Sequence, residues 1–142
     1  KTKNSVADAV LNAKLMYCKE QDIPAVISVD KNIRGLTQTE LCCVLGNLLD
    51  NAIEAELKLS KAQRKIEIKI VMIEEVLDIL IRNRIAEPVL QNVQNVKNIG
   101  TTKQDAGNHG FGLKNVREIV KKYDGFMDLY EDSGCFCVHI RI

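Results

Sequence analysis

Asn47-Leu48-Leu49-Asp50-Asn51-Ala52-Ile53-Glu54-Ala55 lies in an apolar segment that opens with Leu41-Cys-Cys-Val-Leu45. Leu48, Leu49, Ala52 and Ile53 supply the buried stripe of a helix, and Asn47 and Asn51, four residues apart, share one face of it. Packing has no need of these amides, because burying an unpaired one costs on the order of 1–3 kcal/mol. An amide oxygen is a hard, neutral ligand, and Mg²⁺ is often held by one or two protein oxygens with phosphates and water completing its shell. The segment therefore reads as the metal-holding wall of a nucleotide site, with Asn47 and Asn51 as the metal candidates.

Working outward, Thr37 caps this helix with Glu40 at the third helical position, and the pattern runs to about Leu59. Upstream, residues ~4–21 read as a helix capped by Asn4 or Ser5, Pro24 breaks the chain, Ala25–Asp30 is a short strand and Gly35 closes a turn. Downstream, residues 65–73 alternate charged and apolar and pair with 76–82 as a hairpin with one wet face. A polar stretch from about Ala86 to His109, rich in Asn and Gln, is long enough to be a site lid. A third helix is predicted over ~113–123, ended by Gly125, and two closing strands over ~126–131 and ~135–142. Three helices on one face of a mixed five-stranded sheet make an α+β two-layer sandwich in a single domain spanning 1–142.

Composition narrows the function. Of 142 residues, 46% are hydrophobic and 27% charged, and the net charge of +1 gives no electrostatic case for nucleic acid. With only three Tyr, three Phe and no Trp, base-stacking platforms are not indicated either. No apolar run approaches the ~20 residues of a membrane span, and the start at Lys1 reads as a fragment of a longer chain. The odd set Cys18, Cys42, Cys43, Cys135 and Cys137 lies in apolar settings, which reads as reduced core thiols in a cytoplasmic protein.

Gly107-Asn-His109-Gly110-Phe111-Gly112-Leu113 leads into the third helix. Helix N-termini attract phosphate, and glycine lets backbone approach an anion closely. The two common glycine motifs fail, because Leu113 stands where a P-loop needs Lys and residue 115 is Asn where a dinucleotide fingerprint needs Gly. A helix-capping turn is the alternative reading. Thr102 and Lys103 in the preceding stretch add a hydroxyl and a cation suited to phosphate.

Together these residues resemble the ATP-binding domain of the GHKL superfamily, which includes sensor histidine kinases, gyrase-type ATPases, Hsp90 and MutL. Asn47 to Ala52 looks like the N-box, whose asparagines coordinate Mg²⁺ beneath the triphosphate, and Gly110-Phe111-Gly112-Leu113 looks like the second glycine box. The opening Asn4-Ser-Val-Ala-Asp8 with Lys14, the Thr-Thr-Lys of residues 101–103 and the run from His109 to Val116 look like Agr-type peptide quorum-sensing kinases. The resemblance implies a Bergerat-type sandwich that binds ATP and Mg²⁺. The γ-phosphate would be presented to a histidine on a separate dimerisation domain of the same kinase, and a response regulator would be served indirectly. The isolated domain is then expected to be a monomer on the cytoplasmic side of a membrane-anchored parent.

The departures from the family pattern are specific. No Asp-x-Gly-x-Gly follows the central strand, and Asn83 is the positional substitute, its carbonyl able to accept from adenine's amino group. Many relatives place a Lys one turn after the N-box, where this chain has Glu54 and, a turn later, Lys58. Gyrase-type members carry a Glu at the place of Asn47, and an amide cannot take a proton from water, so poor hydrolysis is expected. His109 either touches phosphate or orders the preceding stretch, and His139 on the last strand is structural. The alternatives are a degenerate GHKL module that binds a regulatory partner, and a GHKL ATP hydrolase.

Overall fold

The computed structural model describes residues 5–87 and 109–142. Among these, the α-helices are α1 (Ser5–Glu20), α2 (Gln38–Leu57) and α3 (His109–Lys122), and the strands are β1 (Ala25–Val29), β2 (Ile66–Ile73), β3 (Val76–Arg84), β4 (Phe126–Asp132) and β5 (Cys135–Arg141). The strands form one sheet in the order β1-β2-β3-β5-β4, with β1 parallel to β2 and every other pair antiparallel. The expected two-layer α+β sandwich with a mixed, mostly antiparallel sheet is what the chain forms.

Alternation along the strands sorts the two faces. Ile66, Ile68 and Ile70 of β2, Leu77, Ile79 and Ile81 of β3, and Val138 and Ile140 of β5 are buried in one core with Leu45, Leu48, Leu49 and Ala52 of α2. Among the described residues the other sheet face carries no helix. There Asp78 accepts from Arg141 Nε at 3.0 Å and meets His139 Nε2 at 2.9 Å, while the Phe126 ring stands edge-on to the His139 ring with centroids 6.3 Å apart.

Local chemistry sets the element ends. The β4–β5 hairpin turns on Ser133 and Gly134, both at positive φ (53° and 76°), the geometry that matches strand twist in two-residue loops. α3 ends with Asp124 in the left-handed region at φ 53°, and Gly125 N–H donates to Val120 O at 2.8 Å. Gly125 is thus not the left-handed residue; a Cβ there would stand 2.6 Å from the Arg141 carbonyl oxygen, so glycine is required for close approach to β5. The Arg64 guanidinium donates to the carbonyls of Gln21, Leu57 and Leu59 at 2.7, 3.3 and 3.1 Å, placing a cation on the C-terminal end of α2.

One expectation is corrected. α3 begins at His109, four residues before the predicted start, so Gly110 and Gly112 lie in its first turn rather than in a turn ahead of it. The first N–H groups of a helix lack intrahelical partners whatever residue carries them, so glycine costs less there than its breaker role suggests. The stretch read as a lid, including Thr102 and Lys103, lies outside the described residues. Asn4, one of the two candidate caps of α1, lies outside them too.

α2 and α3 run antiparallel and are clasped at one end. The Thr37–Glu40 capping box forms as expected, with Thr37 N–H donating to Glu40 Oε1 at 2.9 Å and Glu40 N–H to Thr37 Oγ1 at 3.1 Å. The same carboxylate receives Lys122 Nζ at 2.6 Å and the Tyr123 hydroxyl. Lys122, then Tyr123, then the Thr37 backbone hold the Glu40 carboxyl down from 4.5 to about 2. A carboxyl with a depressed folded value contributes stability that is full above its unfolded pKa and is lost as pH falls through the folded one. The thermal midpoint should therefore drop between pH 4.5 and about 2, and Glu40→Gln should start lower at neutral pH and flatten that part of the profile. Parallel profiles in a pH series of thermal melts would contradict this.

Candidate functional site

A cavity of about 310 Å³ opens where α2 runs past the start of α3. Ala52, Ala55, Ile81 and Val138 give it apolar walls, Asn51 and Leu113 stand on its α2–α3 side, and Asn83 lines it from β3. Exposed Lys58 and Arg84 belong to its rim. The two residues left open after the N-box fall in different places. Lys58 lines the cavity, whereas Glu54 lines a separate groove with Ala13, Lys14 and Tyr17 of α1. Asp50 also turns toward α1, where Lys14 Nζ meets its Oδ1 at 2.5 Å.

Asn51 brings a buried Nδ2 with no hydrogen-bond partner among the described residues. A buried amide left unpaired is costly, so Asn51 is a group that a ligand could satisfy. The two ends of an amide are assigned by their surroundings, and turning Asn51 over would offer its oxygen to the same place. Asn47 does not line the cavity. Its Nδ2 donates back to the Cys43 carbonyl at 2.9 Å and to Cys43 Sγ at 3.3 Å. Its Oδ1 faces α3, 3.3 Å from where a Cβ on Gly112 would stand. The glycine box and the first asparagine of the N-box thus touch directly, and the close approach that Gly112 permits is to Asn47.

At the other end of the cavity Asn83 is 5% exposed. Its Nδ2 donates to Glu56 Oε2 at 3.3 Å and to the Arg84 carbonyl at 3.2 Å. Glu56 is fully buried, and its Oε1 accepts from Lys65 N–H at 2.7 Å. Burial pushes its carboxyl pKa up, and the hydrogen bonds from Lys65 and Asn83 oppose that shift. Glu56 was missed by the sequence reading. The available signal was position: it continues the Leu45, Leu49, Ala52 stripe, so a charged group falls on the buried face of α2.

Among the described residues no group of three or more His, Cys, Asp or Glu could hold a metal ion. Any cation here would rest on amide oxygens and on a ligand's own phosphates, which is the mode that suits Mg²⁺. Asn51 at the cavity and Asn47 beside it fit that donor set. The first turn of α3, formed by His109, Gly110, Phe111 and Gly112 before Leu113, brings a helix N-terminus to the same place, where unpaired N–H groups favour an anion. The side chains of His109 and Phe111 lie outside the described residues. His139 belongs to the opposite face of the sheet, where it contacts Asp78.

Comparison with known proteins accords with this geometry. The sequence profile of the GHKL domain matches residues 36–142, and the chain belongs to that family. It is 24% identical over 135 residues to a Bacillus subtilis protein named probable C4-dicarboxylate sensor kinase, covering 92% of this chain and 25% of that one. It is 27% identical over 107 residues to the sensor histidine kinase DpiB of Escherichia coli, covering 71% of this chain and 19% of that one. The chain thus spans about a quarter or less of these relatives. Its fold is that of histidine kinase catalytic domains. It superposes on the catalytic domain of ThkA with a TM-score of 0.79 at 19% identity, over 99% of this chain and 91% of that one. On the mycobacterial sensor histidine kinase MprB the TM-score is 0.74 at 18% identity, over 97% and 93%.

Proposed function

We propose that this domain binds Mg-ATP in the cavity between α2 and the sheet. It would present the γ-phosphate to a histidine on the dimerisation domain of a two-component sensor kinase. The observation that carries the reading is the buried Asn51 Nδ2, without a hydrogen-bond partner among the described residues, at a cavity edged by the N-terminus of α3. Asn51 and Asn47 would hold the cation, which would neutralise charge on the phosphates when bound. Gly110, Gly112 and Leu113 would bring backbone N–H groups to the phosphates, and Thr102, Lys103, His109 and Phe111 would add contacts to the nucleotide. Asn83 would read the base.

Phosphoryl transfer needs mainly positioning and charge stabilisation. This chain offers both, and at Asn47 it offers an amide in place of a base, which supports transfer to a separate acceptor over hydrolysis. The acceptor histidine would come from outside the chain, since His139 faces the other side of the sheet. The Agr-type resemblance supports a parent kinase that responds to a peptide.

Calorimetric titration with a non-hydrolysable ATP analogue tests the reading. The expected result is binding that strengthens at least tenfold with Mg²⁺. Absence of binding at millimolar nucleotide would favour a partner-binding module, and turnover by the isolated domain would favour a hydrolase.

A further inference from the structure

Asn83 is the buried polar side chain on the β3 wall of the cavity, with exposed Arg84 at the rim, and the direction in which the Asn83 amide points bears on what the cavity can recognise. An amide carries two N–H donors on one end and an acceptor oxygen on the other. Both donors of Asn83 are engaged, one by Glu56 Oε2 at 3.3 Å and one by the Arg84 carbonyl at 3.2 Å. A carbonyl oxygen only accepts, so Arg84 favours nitrogen on its side, and the charged Glu56 carboxylate does so more strongly. Glu56 reinforces the choice because its other oxygen is taken by Lys65 N–H at 2.7 Å, so the carboxylate receives donors on both oxygens. What Asn83 has left for the cavity is its acceptor.

We infer that Glu56 is a positioning residue that fixes the Asn83 amide with its oxygen toward the cavity, and so makes the site select a 6-amino over a 6-oxo purine. This rests on the nucleotide reading above and adds to it a residue that touches no nucleotide. A purine bearing an amino group at C6 donates to that oxygen, while one bearing a carbonyl there sets two acceptors against each other. Glutamine at position 56 would have one acceptor for two donors, Lys65 N–H and Asn83 Nδ2. With its amide nitrogen turned to Asn83, it sets donor against donor and leaves the neutral Arg84 carbonyl alone to orient the Asn83 amide, so the oxygen is no longer held toward the cavity.

The test compares the affinities of ATP and ITP, which differ at C6, for wild type, Glu56→Gln and Asn83→Ala. Wild type is expected to prefer ATP by about tenfold or more, the scale set by leaving a buried hydrogen-bonding group unpaired. Glu56→Gln should bring the ratio of the two affinities to within about threefold of unity by weakening ATP and sparing or improving ITP. Asn83→Ala keeps the Glu56–Lys65 contact and should erase the preference as well; if Glu56→Gln does not fold, Glu56→Met, which removes the acceptor without adding a donor, should narrow the ratio likewise, and an unchanged ratio there would overturn the inference. Equal weakening of both nucleotides by Glu56→Gln would reduce Glu56 to a structural role and overturn the inference. So would a wild type indifferent between ATP and ITP, or an unchanged ratio in Asn83→Ala. Failure of wild type to bind ATP at all would overturn the nucleotide reading itself, and the inference with it.

Discussion

Asn51→Ala is expected to raise the dissociation constant for magnesium nucleotide about a hundredfold. A hydrogen bond or ligand contact to a charged group is worth roughly 1.5–3 kcal/mol, and each 1.4 kcal/mol is tenfold in affinity. The folded protein should not suffer, because the amide nitrogen that is deleted is buried and has no hydrogen-bond partner among the described residues. The thermal midpoint without nucleotide should equal or exceed that of wild type. Calorimetry with and without Mg²⁺, beside thermal melts, separates the two effects. Unchanged affinity would remove Asn51 from the site, and a lower midpoint would mean that it has a structural partner.

Gly112→Val should damage both stability and binding. A Cβ at residue 112 would stand 3.3 Å from Asn47 Oδ1 and 3.6 Å from its Cβ and Cγ, and valine adds two methyl groups beyond that point. Asn47 cannot yield freely, since its Nδ2 is bonded to the Cys43 carbonyl at 2.9 Å. Overpacking of this kind costs about 1–3 kcal/mol. Relief comes by moving the first turn of α3 away from α2, which would separate the glycine box from the N-box. Binding is therefore expected to fall at least tenfold. The double variant Asn47→Ala/Gly112→Val should recover most of the lost stability without recovering binding. Strictly additive losses would place the clash elsewhere.

The helix carrying Asn47 and Asn51 was legible in the sequence because its cap and its stripe agreed. Thr37 and Glu40 formed the expected box, and Leu45, Leu48, Leu49 and Ala52 fell inside the core. The hairpin of β2 and β3 was legible from its alternation. What failed was the start of α3, where glycines were read as punctuation although a first helical turn tolerates them. Glu56 failed for another reason: a charge on a buried stripe announces that something pairs with it, but its partners come from Lys65 on one side and Asn83 on another strand. Sequence spacing along α2 cannot name them. Asn83 itself could be placed by position, whereas the direction of its amide follows only from those neighbours.

The clasp of Glu40 with Lys122 and Tyr123 has a mechanical consequence. It lies about ten residues along α3 from Gly112, or about 15 Å at 1.5 Å per residue. At that lever arm a five-degree change in the angle between α2 and α3 displaces one helix end against the other by roughly 1 Å, a misplacement able to cost about 10²-fold in rate when reacting groups are involved. Three side chains about 15 Å from Gly112 would therefore set how closely Asn47 and Gly112 meet.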